Sequence, residues 1–129
     1  MRRSAKKDTL TLSAATQTTP FRIDHFKGLS VQIKIAAAGT AVGTMVVQVS
    51  NDTGTADNVN DVSPNSTSPV YADLSWTDVG GTTASISATT GSPFFINVPN
   101  LYGRWACVSY THTSGSSTAT VWTNGKGES

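Results

Sequence analysis

Two histidines (His25, His112), one cysteine (Cys107) and one glutamate (Glu128) are what this sequence offers for nucleophilic or metal chemistry, beside seven aspartates. The histidines lie 87 positions apart, with no cysteine or carboxylate at ligand spacing, which argues against zinc. Cys107 sits in the apolar run Trp105-Ala106-Cys107-Val108, where a free thiol is usually a small packed residue; a Cys107/His112 dyad is the one nucleophile–base pair to weigh. No Gly-x-Ser-x-Gly elbow and no phosphate-cradling glycine loop occurs. A single glutamate rules out a glutamate pair for glycoside hydrolysis. Asp57-Asn58-Val59-Asn60-Asp61 has the oxygen-rich look of a calcium loop but lacks the spacing, glycine and glutamate of an EF-hand. The expectation is a protein that binds or builds, with no enzymatic activity, metal or cofactor.

Two groups of residues remain as candidates for contact. Arg2, Arg3, Lys6 and Lys7 supply four of the nine basic side chains, so a basic arm over residues 1–8 precedes a mildly acidic body. Such an arm is either a frayed terminus or a segment that docks on an acidic partner surface. Without interleaved aromatics it is weak support for nucleic-acid binding, and none is expected. Trp76, Trp105 and Trp122 either fill a core or subunit interface, or form a sugar-stacking platform on a sheet face.

The elements that must position these residues are strands. The chain has 129 residues with 20 threonines, 16 serines and 12 valines, but five leucines, five lysines and one glutamate. The residues that cover helix surfaces are scarce, while β-branched residues abound. Period-2 alternation is clearest in Leu29-Ser30-Val31-Gln32-Ile33-Lys34-Ile35 and recurs from Thr9, Phe21, Gly43, Leu74, Ala84, Phe94, Tyr102 and Thr118. Asn124-Gly125-Lys126-Gly127 reads as a closing turn or tail. Eight or nine short strands in one domain over 9–127 predict an all-β, antiparallel sandwich of jelly-roll type, with a long polar loop at 51–73. The basic start lacks an apolar segment behind it, so no signal peptide is expected, and no run is long enough for a membrane helix. One cysteine excludes an intrachain disulfide.

Two likenesses follow. Ser50-Asn51-Asp52, Trp76-Thr77-Asp78-Val79 and Arg104-Trp105-Ala106-Cys107-Val108 resemble the rhythm of galactose-binding-like jelly rolls. More closely, Phe21-Arg22-Ile23-Asp24-His25-Phe26, Leu29-Ser30-Val31-Gln32, Tyr102-Gly103-Arg104-Trp105 and Val121-Trp122-Thr123-Asn124-Gly125-Lys126-Gly127 resemble small β-rich virion structural proteins of tailed bacteriophages. That resemblance implies a capsid decoration, or cement, protein made in the host cytoplasm and carried on the virion. Its partners would be the major capsid protein and copies of itself, as a homo-oligomer on the particle, with the arm 1–8 and the loop 51–73 reaching across the lattice. The alternative is a carbohydrate-binding or adaptor module of a tail or fibre.

Overall fold

The computed structural model describes residues 5–23, 25–36, 39–51, 74–87 and 93–128. The described residues are all strand and turn. In chain order the strands are β1 (Ala5–Thr11), β2 (Thr16–Gln17), β3 (Phe21–Arg22), β4 (Phe26–Ile35), β5 (Val42–Ser50), β6 (Thr77–Asp78), β7 (Ala84–Ile86), β8 (Phe94–Val98), β9 (Trp105–Ser114) and β10 (Thr118–Glu128). They form two antiparallel sheets. One has the order β1-β10-β4-β8; the other has β9 and β5 at its centre, flanked by β2 and β3 on one side and by β6 and β7 on the other. The fold is therefore the expected β-sandwich, and its order is that of a jelly roll with eight ladder positions.

The order has a simple origin. Ala5 pairs with Asn124, Thr16 with Tyr110, Leu29 with Val98 and Gln48 with Asp78, so each pair is centred between positions 63 and 65. The chain pairs as though folded once in half and then rolled. Rolling brings β10 beside β4 and β9 beside β5.

Between the sheets lies one core. Leu29, Val31, Ile33 and Ile35 of β4 and Ala119 and Val121 of β10 face Met45 and Val47 of β5 and Ala106, Val108 and Tyr110 of β9. The alternation read from β4 is this buried face, with Ser30, Gln32 and Lys34 turned outward.

Two flanking ladders are broken, and a buried threonine splints each break. Between β2 and β3, where Pro20 has no N–H to give, Thr18 donates its N–H to Val108 O at 2.9 Å and accepts Val108 N–H on its hydroxyl at 2.9 Å. Between β6 and β7, the Thr82 hydroxyl accepts from Val47 N at 3.1 Å and donates to Val79 O at 2.7 Å. Thr18 and Thr82 are both 3% exposed, so without these bonds the ladder groups would be buried and unpaired.

Two boundaries differ from the sequence reading. The sheet begins at Ala5 rather than Thr9, so half of the presumed arm is strand β1. At the other end Asn124–Glu128 is not a tail but the last turnless stretch of β10, paired with Phe26–Ser30. Gly125 permits this: a Cβ there would stand 2.4 Å from the Phe26 ring, which occupies the space instead. The loop 51–73 lies outside the described residues except for Asn51.

Candidate functional site

The residues with chemical potential are not brought together. Cys107 is 4% exposed, and burial pushes its thiol up to about 12, against a smaller opposing pull from the Lys6 charge. Its Sγ is 4.0 Å from Gln48 Oε1, and Gln48 Nε2 donates to Asp78 Oδ1 at 2.7 Å. His112 is engaged elsewhere: its Nδ1 lies 3.0 Å from the Tyr110 hydroxyl, which donates to Val42 O at 3.2 Å. The Cys107/His112 pair is therefore not assembled. His25 is buried with its ring centroid 4.0 Å from that of Phe26. Among the described residues no group of three or more His, Cys, Asp or Glu side chains is placed to hold a metal.

The basic arm divides. Arg2 and Arg3 lie outside the described residues. Lys6 and Asp8 alternate with exposed Ala5, Lys7 and Thr9, and so share the inward side of β1 with Leu10. Lys6 Nζ pairs with Asp8 Oδ2 at 2.9 Å and also donates to the Thr19 carbonyl. Lys7 alone of the two lysines faces solvent. Sequence reading missed this because a charge on an edge strand can point inward, where it obstructs the addition of a further strand.

The three tryptophans also separate. Trp105 is fully buried, Trp76 is half-buried, and Trp122 is 36% exposed. They form no common platform. Trp105 and Cys107 lie on the side of β9 opposite Ala106 and Val108, yet are buried, so both faces of this part of the sheet are covered. Among the described residues the exposed aromatics are Trp122 with two that sequence reading did not propose as contacts, Phe95 at 60% and Tyr102 at 82% exposure. Alternation in Phe94-Phe95-Ile96 already required one phenylalanine to face outward; Tyr102 entered the sequence reading only as the start of a strand and within the Tyr102-Gly103-Arg104-Trp105 likeness, with no contact role.

Two surfaces result. The first is one end of the sandwich. Tyr102 projects from the turn between β8 and β9 and separates two shallow grooves. One, of about 410 Å³, is lined by Val49, Ser50, Asn51, Ser75, Thr77 and Gly103; the other, of about 320 Å³, by Ile23, Phe26, Lys27, Asn100 and Leu101. The turn is held by Leu101 N–H to Lys27 O at 2.9 Å and Arg104 N–H to Ser50 O at 3.0 Å, with Gly103 at a φ of 130° that other residues rarely adopt. Arg104 contributes its backbone here, and its side chain is exposed. Asn51 and Ser75, which flank the loop, line the same groove, and Ala5, to which residues 1–4 attach, begins β1 toward this end.

The second surface is the outer face of the β1-β10-β4-β8 sheet. Lys7, Trp122, Gln32 and Phe95 stand in one row across its four strands, and Ala5, Asn124, Ser30 and Asn97 in the next. The edges of the sheets, by contrast, are guarded. β8 is five residues long between Pro93 and Pro99, β1 carries the inward Lys6–Asp8 pair, and the other flanks are strands of two or three residues. Addition of a further strand at these described edges is thus hindered.

No protein-family model matches the chain, and no curated protein matches it. Among solved structures it is similar to that of PirA, at 11% identity over 92% of this chain and 93% of that one, with a TM-score of 0.56. This likeness shows a shared fold.

Proposed function

We propose that this chain is a non-catalytic structural protein of a tailed-phage particle, a capsid decoration protein that seats its Tyr102 end on the lattice of the major capsid protein. One observation carries the reading: the arm expected over 1–8, whose residues 5–8 lie in strand β1, and the loop expected over 51–73 join the described domain at the end where Tyr102 stands between two grooves. An exposed tyrosine on a braced turn is a low-entropy anchor for a protein interface, and flanking grooves can receive partner side chains. The sequence likeness to small phage virion proteins supports the same assignment, and so do the guarded edges, since a protein displayed at high density must resist pairing with its neighbours through strands.

The test is a titration of empty capsids with the full-length chain, with Tyr102→Ala and with a form lacking residues 1–4, at low and high salt. Tyr102→Ala is expected to lower occupancy without changing the melting temperature. Removing residues 1–4 is expected to lower it most at low salt, because exposed charges are screened over about 8–10 Å at physiological ionic strength. Equal occupancy by all three forms overturns the proposal. Hundreds of copies per purified particle fit a decoration role; a few tens or fewer fit the alternative position on a tail or fibre.

A further inference from the structure

We propose that the outer face of the β1-β10-β4-β8 sheet is a binding platform for an acidic polysaccharide, a working surface separate from the Tyr102 end. On this face Trp122 and Phe95 are open to solvent among the described residues, whereas the opposite sheet buries Trp105 and Cys107 on its outer side.

Charge comes first. Lys7, Lys34 and Lys126 are exposed, and by strand alternation they belong to this face. The carboxylates whose side chains are described lie elsewhere, Asp8 on the inward side of β1 and Asp78 in the other sheet. Among the described side chains the face is therefore cationic around an aromatic centre. A second copy laid face to face would set one lysine-bearing face against another, which disfavours self-association. An anionic partner is matched.

Shape and side-chain chemistry narrow the partner. Trp122 and Phe95 sit two strands apart in one row, so about 10 Å separates them, close to the length of a disaccharide. Gln32 lies between them, and Asn124 and Asn97 occupy the adjoining row. Flat rings that cover the C–H faces of sugars, alternating with amides that both donate and accept, form a surface for pyranose hydroxyls. The four strands present roughly 450 Å² of flat area. A short run of a polysaccharide fits the space. The lysines then meet its carboxylates or sulfates.

The experiment uses the full chain in affinity electrophoresis and calorimetry against polygalacturonate and heparin, with laminarin as an uncharged glycan and polyglutamate as a non-sugar polyanion. Expected are binding to an acidic glycan that weakens with salt, at least a tenfold loss in Trp122→Ala and in Phe95→Ala, and a comparable loss in the triple variant Lys7→Gln/Lys34→Gln/Lys126→Gln. Phe95 is the more exposed ring, so its variant serves where Trp122→Ala lowers the melting temperature. Tyr102→Ala should leave glycan binding intact, which keeps this result independent of the capsid titration. Absence of binding overturns the proposal. So does polyglutamate binding as tight as the glycan, with loss only in the lysine variant, since that is general attraction of polyanions. A fall in capsid occupancy for Phe95→Ala without glycan binding would make the face a protein interface instead.

Discussion

Lys6 and Asp8, two residues apart on edge strand β1, form a 2.9 Å ion pair on the side of the strand that faces the opposite sheet. Alternation would ordinarily place apolar residues there. Charge at those positions costs the sandwich some core, and it leaves an arriving strand with a polar flank it cannot bury.

Lys6→Val should therefore destabilise the fold by about 1–3 kcal/mol, because Asp8 is left half-buried without its cation. The double variant Lys6→Val/Asp8→Val should recover most of that loss, since apolar residues often replace a buried pair without penalty, but it should self-associate. Chemical denaturation and sedimentation velocity read the two effects separately. A double variant that stays monomeric at high concentration would show that the pair does not guard the edge.

The threonine splints make a second prediction. Thr82→Val removes the acceptor for the Val47 amide, and Thr18→Val the acceptor for the Val108 amide. Each should cost about 1–3 kcal/mol, the penalty for a buried donor left unsatisfied. Replacement by serine keeps the hydroxyl and should cost much less. Equal losses for valine and serine would mean that packing, not the hydrogen bond, holds these breaks together.

Cys107 should be inert in the native state. A disulfide reagent at pH 8 is expected to label it only after denaturation, because burial holds the folded thiol near 12. The unfolded thiol ionises near its ordinary value of about 8.5, so between roughly pH 9 and 12 the unfolded chain gives up its proton first. Stability is thus full below that window and falls as pH rises through it. Cys107→Ala should flatten this alkaline slope in urea titrations.

Arg104→Ala is expected to leave stability within about 0.5 kcal/mol of the parent, as for an ordinary surface change. Its backbone bonds to Ser50 and Ile23 survive the substitution. A larger loss in a thermal melt would give the guanidinium a structural role.

The long strands were legible in the sequence because their two sides differ: Val31 and Ile33 are buried, Gln32 and Lys34 are not. The start of β1 was not legible, since Lys6 and Asp8 break the pattern by facing inward, and a strand with a charged inner side looks like a solvated terminus. The end of β10 was hidden by glycine, whose value at Gly125 appears only once Phe26 is seen beside it. For the contact surfaces, the types of side chain were correct and their sorting was not. Trp105 and Trp122 have similar strand settings in the sequence, and only the cover over the outer side of β9 makes one core and the other surface.

The half-fold about residue 64 carries one more consequence. In both sheets every strand's hydrogen-bonded neighbours come from the other half of the chain: β10 and β8 flank β4, and β5 lies between β9 and the pair β6 and β7. Among the described strands, neither half pairs with itself. Residues 5–51 and 74–128 should therefore behave as complementary fragments, each the template for the other, much as two strands of a duplex specify one another. A backbone cut between positions 52 and 73 severs no described ladder, and the two pieces should remain associated and co-elute until denatured. Mixed after separate synthesis, they should fold only together.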